Sequence, residues 1–214
     1  MKLLIVSATA KEIAPLILNK QKNEFDVLIT GVGMVATTYH LTKKLCSEKF
    51  DLVLNLGIAG SFDKKIQLGE VVNITEDVFS ELGAEDNENF IGLDDLKIQN
   101  NATDLFKTKV VNNTTAFNDY FKNIKKVKGI TVNKVLGNTN SIEIIKQQFN
   151  PQTESMEGAA FLYTCNKENI PCYQIRSISN YVEQRNKASW KIEEAIESLC
   201  AYSLDIIHKI VNEK

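Results

Sequence analysis

The sequence predicts an α/β fold: a single domain over residues 1–214, built as a three-layer sandwich with a mostly parallel central sheet flanked by helices. Three observations predict it. Short apolar runs recur along the chain, most of them too continuously apolar for a sheet with one wet face. Between them lie stretches whose apolar residues fall at three- and four-residue steps, the spacing of a helix face. Finally, 214 residues can bury one sizeable core but would be cramped as two, and no linker, repeat or low-complexity tract divides the chain.

In chain order, "LLIVSAT" (3–9), "FDVLITG" (25–31), "DLVLNLGIAG" (51–60) and "EVVNITEDV" (70–78) read as strands, followed later by "GITVNKVLG" (129–137) and "CYQIRSIS" (172–179). "KEIAPLILNK", "VATTYHLTKKLCSE" and "SMEGAAFLYTCNKE" read as helices. From about Ala188 to Asn212, Trp190, Ile192, Ala195, Ile196, Leu199, Leu204, Ile207 and Ile210 keep helical spacing, which predicts a long C-terminal helix. "ELGAEDNENFIGLDD" (81–95) reads as an acidic loop, and 100–125 is Asn-rich with only weak helical patterning.

Composition narrows the function classes. A net charge of −2 argues against a nucleic-acid surface, and the densest basic cluster, Lys125, Lys126 and Lys128, reads as a solvated face. Cys46, Cys165, Cys172 and Cys200 have no paired short spacing of a zinc or redox site, and three of them fall in apolar runs that predict buried, reduced thiols. The apolar core of "MKLLIVSATAKE" is shorter than the ~7–15 residues of an export signal. No stretch approaches the ~18–20 apolar residues of a membrane span. These features predict a soluble, cytoplasmic protein with no nucleic-acid or membrane partner.

Four places can carry chemistry. "GVGMVA" (31–36), between a strand and a helix, fits a loose dinucleotide fingerprint. The next strand, however, ends "NLGIAGS" without the acid that holds a ribose, so a tight turn or a ligand-facing glycine loop explains it better. Glu12 follows the first strand, where a glutamate in the first helical turn already complements the helix dipole. At the carboxyl end of a strand it can also face a cleft and take a proton from water. In "TESMEGAA" (153–160), Ser155 and Glu157 suit a helix start. Glu157 also suits the vicinal hydroxyls of a sugar, with Met156 as an adaptable apolar surface beside it. In "QIRSISN" (174–180), Arg176 within an apolar strand needs a partner, for which Glu157 or Glu12 is the natural choice.

Glu12, "NLGIAG" (55–60), "SMEGAA" (155–160) and "IRSISN" (175–180), in that order and spacing, resemble the purine nucleoside phosphorylase and nucleosidase superfamily on its nucleosidase side. "ELGAED" (81–86), "VNKVLG" (132–137) and "SNYVEQRNKASW" (179–190) resemble its futalosine hydrolase subgroup. The resemblance runs from Met1 into the C-terminal helix and implies a nucleoside phosphorylase-like fold. It implies that Glu12 is the general base, that Met156 and Glu157 lie under the ribose, and that Ile58, Ala59 and Gly60 form the glycine loop near sugar and base. Arg176 and Ser179 match site-lining positions, and Asn180 stands where the base-reading residue belongs. Adenine-releasing members carry Asp there and protonate the purine with it. Asn cannot supply that proton, but its NH2 can donate to a 6-oxo group or the neighbouring ring nitrogen.

The implied reaction is hydrolysis of futalosine to hypoxanthine and dehypoxanthine futalosine, a step of menaquinone biosynthesis, with no metal or organic cofactor. Arg185, with Lys187, Trp190 and Lys191, is a candidate for the benzoate end of that substrate, against the plainer reading of an exposed basic turn. The rivals are an adenine-releasing methylthioadenosine/adenosylhomocysteine-type nucleosidase, a 6-oxopurine nucleoside phosphorylase and a non-catalytic nucleoside-binding module. A phosphorylase needs an anion site, and the chain has just two arginines. The superfamily also implies a homo-oligomer, for which the surroundings of His40, Leu41 and Leu45 are a candidate face.

Overall fold

β1 (Leu3–Ser7) is buried at every residue, which explains its unbroken apolar run. Successive side chains of a strand point to opposite faces. Leu3 and Ile5 therefore join one core, and Leu4 and Val6 join another. This computed structural model describes residues 1–20, 24–87, 89–96 and 106–212.

After β1, a 3-10 turn at Lys11–Ile13 leads into α1 (Ala14–Leu18), followed by β2 (Asp26–Ile29), α2 (Met34–Ser47) and β3 (Leu52–Ser61). Next come β4 (Val71–Phe79), β5 (Gly83–Asp86), β6 (Asn89–Gly92), β7 (Lys109–Val111), α3 (Asn118–Phe121) and β8 (Lys125–Thr131). The chain ends with α4 (Thr139–Phe149), β9 (Thr153–Ser155), α5 (Gly158–Lys167), β10 (Cys172–Tyr181) and α6 (Ile192–Asn212).

Helices cover both faces of the sheet, as a sandwich requires. On one face Leu199, Ile206, Ile207 and Ile210 of α6 meet Leu16 of α1 and Leu52, Leu54 and Leu56 of β3. On the other, Leu41 and Leu45 of α2 meet Phe161 and Leu162 of α5. This corrects part of the expected oligomer face: Leu41 and Leu45 are fully buried within the chain, while His40 is exposed. The exposed apolar residues of α2 are Val35 and Tyr39.

The sheet is mixed rather than mostly parallel. Its order is β10-β4-β8-β9-β3-β1-β2, with β7 on β4, and β10 also pairs with β3. That last pairing closes β3, β10, β4, β8 and β9 into a ring. β1–β2, β1–β3, β3–β10, β4–β8 and β8–β9 run parallel. β4–β10, β3–β9 and β4–β7 run antiparallel. The cause is local: a parallel return needs a crossover of a dozen or more residues, and residues 62–70 are too few and carry no helix. β4 therefore comes back in the opposite sense.

Three other expectations need correction. The acidic stretch 81–95 contains an exposed hairpin, β5 with β6, turning at Asn87 with φ 55°. Its charges hid the strands because neither face of β5 is buried. The strand expected at 129–137 lies at Lys125–Thr131, leaving 132–137 as a loop. Helix α4 went unread, although Asn138 caps it by accepting from Ser141 N–H and Asn150 ends it at φ 44°. Of the Asn-rich stretch 100–125, residues 100–105 lie outside the described residues; the remainder forms β7, α3 and the start of β8. Lys125 and Lys128 are exposed and pair with Glu70 and Glu76, so the basic cluster is a solvated face. Cys165, Cys172 and Cys200 are buried and free, as expected, and Cys46 is exposed. Among the described residues no helix is long and apolar enough to cross a membrane.

Candidate active site

The carboxyl ends of β1, β3, β9 and β10 open onto one cavity of about 350 Å³, roofed by the start of α6. Glu12 enters it from the turn after β1. Thr9 and Glu12 exchange bonds as a capping box does: Thr9 N–H and Oγ1 donate to Glu12 Oε2 at 3.1 and 2.8 Å, and Glu12 N–H donates to Thr9 Oγ1 at 3.4 Å. The helix-start reading of Glu12 therefore holds for one carboxylate oxygen. The other, Oε1, accepts from Ile58 N–H of β3 at 3.2 Å. A carboxylate so anchored keeps lone pairs free to take a proton from water.

Glu157 stands at the entry to α5. Its Oε1 accepts from Gly33 N–H at 2.9 Å. The "GVGMVA" loop is thus a tight turn, with Gly31 at φ 86° and Gly33 at φ 95°, a region that favours glycine. Its glycine amide orients an acid across the cavity rather than cradling a dinucleotide. Burial raises the Glu157 pKa; the Arg176 charge and the Gly33 N–H partly offset the rise.

Arg176 lies beneath the floor, 2% exposed. The expected ion pair with Glu157 or Glu12 is not made. Its Nη2 donates to Asn55 Oδ1, and its Nη1 donates to Asn55 O and Ile175 O at 3.4 and 3.3 Å. Burial lowers its pKa, while Glu157, Glu12 and Asp77 together counteract that. Asp77, buried in the same network, accepts from Gln174 Nε2 at 3.0 Å and Thr131 Oγ1 at 2.8 Å. Burial pushes its pKa up to about 6. Thr131 Oγ1 in turn accepts from Ala159 N–H at 2.7 Å, which ties this network to the first turn of α5 beside Glu157.

Asn180 reaches the rim through a β-bulge. Ile178 pairs with Ala59 and Asn180 with Gly60, so Ser179 is the extra residue. Ser179 Oγ donates to Asn180 Oδ1 at 2.8 Å, and Asn180 Nδ2 donates to Tyr181 O at 3.1 Å. The oxygen is thereby held by a hydroxyl, and the NH2 keeps one hydrogen for a ligand.

Glu154, in β9, also lines the cavity at 5% exposure. Both of its oxygens accept from Leu136 N–H at 3.2 Å. Burial pushes its pKa up to about 7, with Glu81 adding to the rise.

The structure therefore gathers Glu12, Ile58, Ala59 and Gly60 with Met156, Glu157, Ser179 and Asn180 around one space. Arg176 lies below it rather than in it. Arg185 is outside, exposed, its guanidinium 5.3 Å from the ring of Trp190, which does line the cavity. Sequence reasoning missed Thr9, Asp77 and Gln174, and did not foresee that Gly33 N–H binds Glu157. The Thr-x-x-Glu spacing could have revealed Thr9. The others make their contacts only through tertiary packing.

A family model described as the phosphorylase superfamily matches residues 15–211. The chain is similar to the futalosine hydrolase of Thermus thermophilus, at 25% identity over 82% of this chain and 77% of that protein. It is also similar to the 5'-methylthioadenosine/S-adenosylhomocysteine nucleosidase of Anoxybacillus flavithermus, at 24% identity over 87% and 80%. Among solved structures, the native futalosine hydrolase of Helicobacter pylori superposes with a TM-score of 0.82 at 17% identity, covering 98% of both chains. With the family match running from α1 into the last helix and the fold shared end to end, the chain belongs to the phosphorylase superfamily.

Proposed function

We propose that the protein is a nucleosidase that hydrolyses the N-glycosidic bond of futalosine, releasing hypoxanthine and dehypoxanthine futalosine for menaquinone biosynthesis. The observation that carries this reading is the Ser179–Asn180 bond, which occupies the amide oxygen and leaves an N–H donor at the rim. A 6-oxopurine offers acceptors to that donor. Relatives named futalosine hydrolase support the reading.

The carbon–nitrogen bond breaks through an oxocarbenium-like sugar, as in O-glycoside hydrolysis. Its electron pair leaves with the purine, where Asn180 stabilises the developing charge until water protonates the departing base. Glu12, held by Thr9 and Ile58 N–H, takes the proton of the attacking water. Met156 supports the ribose, Glu157 accepts from its hydroxyls, and Ile58, Ala59 and Gly60 pass close to sugar and base. Arg176 acts from below as a positioning charge. Arg185, stacked on Trp190, takes the benzoate end. Assembly into a homo-oligomer belongs to the same proposal.

A second reading, adenine release, is favoured by relatives named methylthioadenosine/adenosylhomocysteine nucleosidase, and Asn180 opposes it. Phosphorolysis is opposed by the arginines: Arg176 is buried below the cavity and Arg185 lies outside it. The deciding experiment incubates the protein with futalosine, inosine and methylthioadenosine, with and without phosphate, and identifies base and sugar. Hypoxanthine from futalosine without phosphate supports the proposal; adenine as the faster product, or a strict need for phosphate, overturns it.

A further inference from the structure

The register around Gly60 places two polar side chains on either side of a residue that has none. On one flank Gly60 pairs with Asn180 of β10, and on the other with Glu154 of β9. Residues paired across a sheet share a face, and two strand spacings put Glu154 and Asn180 about 10 Å apart at their α-carbons. Both line the same cavity. Gly60, which also lines the cavity, makes room for the amide: a β-carbon there would come 3.2 Å from Asn180 Nδ2 and 2.9 Å from Val182 Cγ2. A flat heterocycle in the cavity can turn one edge to the amide and the other to the carboxyl.

Glu154 is also under-used by the protein itself. A carboxylate can accept about four hydrogen bonds, yet both of its oxygens share the single N–H of Leu136. Its role is free as well: Glu12 and Glu157 face the water and the ribose.

We propose that Glu154 is a second base-reading residue, facing the pyrimidine edge of the purine across Gly60 from Asn180, and that its protonation state sets the preference between 6-oxo and 6-amino purines. This rests on the nucleosidase reading above. A 6-oxopurine carries an N–H next to its oxo group, which an ionised carboxylate accepts. Adenine carries a lone pair at that nitrogen, which repels the carboxylate but accepts from the protonated acid.

Titration near neutrality makes the switch accessible. The charged groups around Glu154 are Glu81, tied to Asn133, and the cavity's own Glu12, Glu157 and Lys11. Lys134 and Arg185, near the loop that carries Leu136, are exposed. Gly60, Ile130 and Asn180 on the neighbouring strands carry no charge.

The test measures kcat/KM for futalosine and for its 6-amino analogue from about pH 5.5 to about pH 8.5, with binding of free hypoxanthine and adenine over the same range. The 6-oxo over 6-amino ratio should rise about tenfold through neutrality in both measurements. Glu154→Gln, whose carbonyl can still accept from Leu136, should flatten that rise and keep its fold. A purely structural Glu154 predicts that Glu154→Gln retains the wild-type slope. A pH-independent ratio in the unaltered protein, or an unchanged slope in the variant, overturns the proposal. If neither nucleoside is cleaved, the nucleosidase reading fails, while the two free bases still report on Glu154.

Discussion

Glu12 Oε1 and Arg176 Nη1 close on the same bare face of Gly57, 3.0 and 3.2 Å from where a β-carbon would stand. A half-buried cavity acid and a buried cation thus share one side of a strand residue without an ion pair between them. Gly57→Ala forces both to give way. We expect turnover to fall about tenfold or more, since small displacements of a catalytic group carry large rate penalties. Steady-state kinetics with a thermal melt separates that loss from unfolding.

Replacing Glu12 with Gln keeps an acceptor for Ile58 N–H but removes the base. The expected result is a kcat loss of about 10²–10⁴-fold with KM little changed. Near-normal turnover would remove Glu12 from the mechanism and favour a binding module.

Asn180→Asp retains an oxygen for Ser179 but turns a second oxygen towards the Tyr181 carbonyl and the oxo group of the base. Facing acceptors cost about 1–3 kcal/mol. Release of hypoxanthine should fall roughly tenfold to a hundredfold, with adenine release gaining relative to it. Competition between the two nucleosides reads the ratio directly.

Arg185→Ala removes the cation stacked on Trp190. KM for futalosine should rise up to about fivefold, while KM for inosine, which lacks the benzoate, should stay the same. An unchanged KM for futalosine returns Arg185 to an exposed turn.

Asp77 titrates at about 6 in the folded protein, above its ordinary value of 3.8. Between those values the folded state binds more protons than the unfolded chain. Its contribution is fully present below about pH 4 and drains away as pH rises to about 6. A gap of that size corresponds to roughly 3 kcal/mol. Asp77→Asn should therefore flatten the fall in stability over that window, as measured by urea denaturation at several pH values.

The sequence by itself determined the alternation of buried strands with helices, because a strand covered on both faces is apolar at most positions. Glu12, Ser179 and Asn180 stand where apolar runs give way to polar ends, Met156 and Glu157 are marked by the family resemblance, and the cavity collects all five. Local pattern could not reach pairing partners distant in the chain. The closure of β10 onto both β3 and β4, the reversal of β4 and the bulge at Ser179 are decided by hydrogen bonds between strands, to which side-chain periodicity is blind. Tertiary structure alone likewise tied Gly33 to Glu157, gave Arg176 to Asn55 instead of an acid, and set Glu154 opposite Asn180 across a glycine. Each is a contact across many residues, made where the desolvation cost of a buried polar group leaves the packed chain few partners to choose from.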